Sequence, residues 1–225
     1  MKKMLCVSLT ERSVRQCSQF ISSCDADLIE HRMDFMDRIE KLNAIYDVSR
    51  VPIIATCRAP RDGGHFEGDD ESRISHLIEA ISAGASYVDV ELDTEPRLMK
   101  LVRKEATKCN SKLIVSKHCI VSTPPLPELV NILDRLVIAG ADIMKLVITP
   151  KMMSDCGKIL QLYHIANKPA RPLIAFAMGN LGKFTRVTAL FLGAPFMYVS
   201  QDQGAVAAPG QITLSHMRGL LEVLE

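Results

Sequence analysis

Lys145 interrupts Ile143-Met144-Lys145-Leu146-Val147-Ile148, a run otherwise suited to complete burial. Lysine is almost never buried without a reason. Desolvation disfavours an ammonium, and the neutral amine attacks a ketone or aldehyde to form a Schiff base. A plainer reading leaves the stem in the strand and sends the head to a carboxylate at the rim. An earlier apolar run, Leu113-Ile114-Val115-Ser116-Lys117-His118, ends on an imidazole, which titrates near neutrality and serves as base and then as acid. Polar groups close other runs too: Glu30 and Arg32, then Arg58, then Glu91, with Met178 after a later one. Arg32, Arg58 and Arg186 offer forked donors to carboxylate and hydroxyl oxygens, so the expected substrate is small, polar and anionic.

These residues need a frame that brings the ends of distant runs together. Eight short apolar, β-branched runs recur, at 4–9, 27–32, 52–58, 87–92, 112–118, 143–149, 172–178 and 196–200, each followed by a stretch long enough for a crossover helix. Strand alternating with helix implies a parallel sheet covered by helices. Asp69-Asp70-Glu71-Ser72 opens one helix, whose apolar stripe of Ile74, Leu77, Ile78 and Ile81 stops at Gly84. A second stripe, Leu129, Ile132, Leu133, Leu136 and Val137, stops at Gly140. In the segment carrying Arg186, the residues expected to face the sheet are Phe184, Val187 and Leu190.

Eight such units favour a closed (β/α)₈ TIM barrel formed as one domain over residues 1–225. The competing open, doubly wound sheet lacks a G-x-G-x-x-G or Walker-type loop after any strand. A barrel builds its chemistry at the C-terminal ends of its strands, where the polar residues named above fall, and adjacent strands then place His118 beside Lys145. Gly204-Ala205-Val206-Ala207-Ala208-Pro209-Gly210-Gln211 joins the last strand to the last helix as a candidate lid, with Gln211 reaching inward; an ordinary flexible connection is the plainer reading.

Composition removes several other classes. Twenty-seven basic against twenty-six acidic residues leave a net charge of +1, with no block of like charge to draw nucleic acid or an anionic membrane. No apolar run approaches the roughly 20 residues of a membrane span. Seven cysteines, an odd number without a C-x-x-C pair, fit a reducing cytoplasm better than a disulfide framework or a zinc site. The histidines form no set at metal-ligand spacing, and neither metal nor cofactor is expected.

Six fragments in order carry a resemblance: Glu30-His31-Arg32-Met33-Asp34; Thr56-Cys57-Arg58 with Asp62-Gly63-Gly64; Ser116-Lys117-His118; Ala141-Asp142-Ile143-Met144-Lys145; Phe176-Ala177-Met178-Gly179 with Gly182 and Arg186; and Ala208-Pro209-Gly210-Gln211. Together they resemble the type I 3-dehydroquinate dehydratases, Schiff-base barrels of the shikimate pathway. The resemblance implies dehydration of 3-dehydroquinate to 3-dehydroshikimate, with Lys145 as the imine-forming amine, His118 as general base and acid, and Asp62 assisting it. Substrate contacts fall by the same resemblance to Ser8, Glu30, Arg32, Arg58, Met178, Arg186, Ala207 and Gln211, with Arg186 and Gln211 on the carboxylate. Another class I Schiff-base barrel, of the aldolase type, is the alternative. Two partners come into view as well: a second copy of the chain, as a homodimer, and shikimate dehydrogenase, to which members of the family are found fused. Three positions depart from the pattern: Asp62 stands for a glutamate, Ala207 for a serine and Phe176 for a methionine. The shorter Asp62 is expected to reach His118 less well.

Overall fold

All eight runs form strands, and the strands run parallel: β1 (Met4–Leu9), β2 (Leu28–Arg32), β3 (Ile53–Thr56), β4 (Tyr87–Glu91), β5 (Lys112–Cys119), β6 (Ile143–Ile148), β7 (Leu173–Ala177) and β8 (Phe196–Val199). The structure, a computed structural model, describes residues 2–166, 171–203 and 206–224. β1 pairs with both β2 and β8, and the order β7-β6-β5-β4-β3-β2-β1-β8 forms a nearly closed (β/α)₈ barrel, with no ladder joining β7 to β8 among the described residues. Pro52 and Pro172, inside the expected runs, lie outside the ladders because they lack an N–H, but their carbonyls still accept from Ile29 and Met144.

The helices are α1 (Val14–Ser23), α2 (Leu42–Tyr46), α3 (Asp70–Ser82), α4 (Pro96–Lys108), α5 (Leu126–Ile138), α6 (Met153–Ala166), α7 (Gly179–Phe191) and α8 (Leu214–Leu224). Among the described residues none is long and apolar enough to cross a membrane. Asp69 caps α3 by accepting the Ser72 N–H at 2.7 Å. Gly84 and Gly140 end α3 and α5 in the left-handed region, at φ 102° and 75°, as the repeated helix-to-strand phrases predict. Two helical faces differ from expectation. Val137 is 43% exposed, and on α7 the buried stripe is Gly182, Thr185, Arg186, Ala189 and Leu190, with Phe184 turned outward. The α7 rotation has a local cause: the Thr185 hydroxyl accepts the Ala177 N–H at 2.9 Å and donates to the Gly182 carbonyl at 2.6 Å, which turns that face toward β7.

Period-two alternation then sorts the strand residues. Leu5, Val7, Ile29, Val88, Val90, Val115, Leu146 and Ile148 form the buried apolar layer under the helices. The alternate positions point into the barrel, and toward the C-terminal ends of β1 to β6 many of them are polar: Ser8 stands opposite Glu30, Thr56 opposite both Arg32 and Asp89, and Ser116 opposite both Glu91 and Lys145. Hydrophobic burial therefore lies mainly outside the sheet, which leaves the upper barrel interior to charge.

Candidate active site

At the C-terminal ends of the strands lies a cavity of about 430 Å³ whose wall includes Glu30, Arg32, Arg58, Asp62, His118, Lys145, Met178, Arg186, Ala207 and Gln211. Of the residues expected to face substrate, Ser8 alone is not in this wall. It is buried behind it, donating to Glu30 at 2.8 Å and accepting from Gln211 at 3.0 Å. Glu91, read as a strand-end group, also lies behind the wall, held by arginines.

Lys145 forms the floor. Its Nζ donates to Asp89 Oδ2 at 2.8 Å, lies 3.6 Å from Glu30 Oε1 and sits 4.0 Å from the centre of the Tyr198 ring. The lysine is thus buried and paired at once, and its closest carboxylate belongs to β4 inside the barrel rather than to the rim. Asp89 Oδ2 also faces Arg58 Nη2 at 2.8 Å, while Oδ1 accepts from the Ser116 hydroxyl at 2.6 Å. Burial pushes the Asp89 carboxyl up, but the adjacent Arg58 and Lys145 cations outweigh it and hold that group far below the usual carboxylate range. Arg58 Nη1 is spent on Glu91 at 2.9 Å and Ser116 at 2.8 Å, and Glu30 accepts from Ser8 and Thr56.

His118 stands one step higher, since the ladder sets Ser116 opposite Lys145 and His118 opposite Val147. Burial first, and then the Arg58 and Lys145 cations, lower its pKa well below that of an ordinary histidine. Its Nδ1 is buried without a hydrogen-bond partner among the described residues, and the nearest Asp62 oxygen is 4.0 Å away, too far to accept. The Asp62 carboxyl is itself raised, by burial and by Glu91.

The opposite wall is built differently. Arg186 is 1% exposed, with Nη1 at 3.5 Å from the Tyr198 carbonyl and Cζ 4.1 Å over the Phe176 ring. Its Nε and Nη2 have no partner among the described residues, and burial pushes the guanidinium down to about 9. Phe176, in place of a methionine, thus supplies the aromatic face on which this arginine rests. Arg32 is gripped by Asp34 through two bonds of 2.9 and 2.7 Å and donates to the Ala207 carbonyl at 3.3 Å. The Ala207 N–H donates to Gln211 Oε1 at 3.0 Å, so Ala207 works through its backbone. Gly204 and Ala205 of the expected lid lie outside the described residues. Gly210 seats the following turn: its φ is 76°, and a Cβ there would lie 2.3 Å from the Gly179 carbonyl oxygen.

Asp89, Ser116 and Tyr198 were not singled out by sequence. Alternation held the signal, since Asp89 and Glu91 occupy the same face of β4 and Ser116 and His118 the same face of β5. An ionic network with an amine at the floor of a parallel eight-stranded barrel, below a half-paired arginine, defines a barrel equipped for covalent work on a small anionic carbonyl compound.

Comparison with known proteins narrows this class. Residues 5–225 match the model of the type I 3-dehydroquinase family, and the chain belongs to that family. It is 36% identical over 219 residues to the 3-dehydroquinate dehydratase of Desulfotalea psychrophila, covering 97% of this chain and 96% of the relative. The crystal structure of 3-dehydroquinate dehydratase from Geobacillus kaustophilus superposes with a TM-score of 0.91 at 28% identity, covering 100% of this chain and 91% of that one. The dehydroquinate dehydratase and shikimate dehydrogenase from S. pombe AroM shares the fold, with a TM-score of 0.85 at 24% identity, over 100% of this chain and 45% of that one.

Proposed function

We propose that the chain dehydrates 3-dehydroquinate to 3-dehydroshikimate through an imine on Lys145. The observation that carries this reading is the Lys145 amine at the floor of the cavity, in a chain of the type I family. Lys145 passes one proton to the neutral His118 ring and attacks the C3 ketone as the free amine; the carbinolamine hydroxyl takes a proton back and leaves as water, giving an iminium. Positive charge returns to the nitrogen, so Asp89 and Glu30 face a cation before and after. Neutral His118 takes the C2 proton, and the C–H electrons flow into the iminium to give an enamine. The enamine expels the C1 hydroxyl, which leaves as water with the proton from the His118 imidazolium. Water then hydrolyses the product iminium, restoring the Lys145 ammonium and freeing the ketone.

The other side chains hold the substrate. Arg186 has two unfilled donors for its carboxylate, and Gln211 stands at the same mouth. Glu30, Arg32 and Arg58 present polar groups to its hydroxyls, while Met178 supplies apolar wall. A rigid ring fixed in this way meets the base in a set geometry. No step draws on a metal or cofactor, and turnover is expected to be indifferent to a chelator.

Borohydride reduction in the presence of 3-dehydroquinate is the direct test. A peptide carrying the ligand's mass on Lys145, together with appearance of the conjugated product's absorbance, supports the reading. Trapping of a sugar phosphate in place of 3-dehydroquinate would transfer it to the aldolase class. Shikimate dehydrogenase, which shares a chain with the dehydratase in the S. pombe protein, is the partner proposed to act beside this chain. Sedimentation tests the homodimer, for which a mass near twice 24.9 kDa is expected.

A further inference from the structure

Behind the cavity, Glu91 divides its carboxylate between two guanidinium groups. Oε1 accepts from Arg58 at 2.9 Å, and Oε2 is engaged by Arg73 Nη1. Arg73 belongs to α3, is wholly buried and takes no part in the cavity wall. Its remaining nitrogens are fixed too: Nε donates to Asp70 at 3.0 Å and Nη2 to Thr94 at 3.2 Å. From there the charges alternate inward without a gap, through Arg73, Glu91, Arg58 and Asp89 to Lys145.

We propose that Arg73 is a positioning residue for Lys145, acting through Glu91, Arg58 and Asp89 to hold the amine at the place where it meets the substrate ketone. The inference rests on the Schiff-base reading above. Its logic is one of competition for donors. A buried carboxylate needs a partner on each oxygen, and Glu91 is 1% exposed. Without Arg73, Oε2 is orphaned, and the nearest cation able to cover both oxygens is Arg58, whose two terminal nitrogens match the carboxylate fork. Arg58 Nη2 is the group that shares Asp89 Oδ2 with Lys145. Once it turns to Glu91, Asp89 has Lys145 as its one remaining cation and draws the amine toward β4, away from the cavity. The carboxylate grip of Arg186 is spared, because the chain of charges stays on the other side of the pocket, whereas the contact of Arg58 with a substrate hydroxyl weakens as Arg58 turns.

The test compares Arg73→Met, Arg73→Lys and Thr94→Val with the parent enzyme by steady-state kinetics, by the rate of borohydride-trapped adduct on Lys145 and by circular dichroism. For a folded Arg73→Met, kcat and trapping rate are expected to fall together by about 10²-fold, the scale of an ångström-sized misplacement of a reacting group, with a much smaller rise in KM from the turned Arg58. Arg73→Lys should recover part of both, since an ammonium can still meet Glu91. A merely structural arginine would instead give lower thermal stability with parental kcat and trapping rate, and that result overturns the inference. Should both Arg73 variants fail to fold, Thr94→Val decides: it frees one nitrogen only, and a severalfold fall in kcat that exceeds any rise in KM supports the role, whereas parental kcat overturns it. Failure of the parent enzyme itself to form the adduct would overturn the Schiff-base reading, which separates the two.

Discussion

On the β3–β6 side of the cavity Arg58, Asp89, Ser116 and Lys145 hold one another through bonds of 2.6 to 2.8 Å, whereas across the mouth Arg186 keeps two of its three nitrogens without a partner among the described residues. Both groups are buried, so the difference is not one of solvent access. Burying an unpaired guanidinium costs stability, and a fold keeps one where something else will bring the acceptors. On the proposed reading, the paired side is set before substrate arrives and holds charge in place for the reaction, and the unpaired side is completed by the substrate's carboxylate.

The paired side should fail in turnover and the unpaired side in affinity. Lys145→Ala removes the amine on the floor and, with it, the proposed electron sink for the C2 carbanion; turnover is expected to fall by several orders of magnitude and borohydride trapping to vanish. Detectable ligand binding by calorimetry in that variant would confine the defect to chemistry. Near-parental turnover would remove the imine from the mechanism.

His118→Ala comes next, at about 10² to 10⁴ in kcat, with the adduct still trapped and accumulating because elimination is the blocked step. Its pH dependence has a definite sign. In the proposed mechanism the neutral ring is the base, and burial with two nearby cations lowers its pKa, so the acid limb of kcat/KM should lie below the roughly 6.5 of an ordinary histidine. An acid limb at or above that value would mean that His118 is not the group titrating.

Arg186→Ala tests the other wall, with an expected rise in KM of about 10- to 100-fold, the worth of a charge-assisted hydrogen bond, and a smaller change in kcat. Arg186→Lys should recover only part, since it restores charge without the fork. In the parent, a substrate-like carboxylate should raise the melting temperature by filling the empty donors. Loss of that shift in Arg186→Ala, with the apo protein no less stable than the parent, would place the cost of burial on this one side chain.

Much of this contrast was legible in the chain because a charge inside an apolar run is conspicuous: Lys145, Glu30 and His118 each end or break such a run, and the strand count gave the frame that gathers them. Asp89 escaped because β4 reads as a strand with one polar end, and its inner partner appears only when alternation is counted from Glu91. Arg73 escaped for the opposite reason. A helical arginine is usually solvated, yet it lies four residues before Leu77 and next to Ile74, on the stripe that α3 buries. Whether the Arg186 donors were filled was beyond sequence altogether, since that depends on which atoms meet across β7, β8 and α7. The rotation of α7 shows the same limit, because the Thr185 hydroxyl bonds that set it are tertiary facts.

The smallest expected effect lies between the two walls, at Asp62. In the structure its carboxylate stops 4.0 Å from His118 Nδ1, and that nitrogen has no other partner. Asp62→Asn should therefore change kcat little, for no hydrogen bond is lost. Asp62→Glu extends the carboxylate by one methylene, about 1.5 Å, which brings an oxygen within the 2.7–2.9 Å range of a charge-assisted bond. Two consequences follow for His118. An anchored ring is better aligned with C2, so kcat should rise a few-fold; and an anion beside the imidazole favours its protonated form, so the acid limb of the rate profile should move upward. The two readouts separate orientation from charge: a raised limb without a faster rate would mean that His118 is already aligned by its packing, and a faster rate without a raised limb would mean that the glutamate acts through shape. If neither moves, Asp62 has no part in catalysis, and His118 works without an acidic partner, tuned by burial first and then by Arg58 and Lys145.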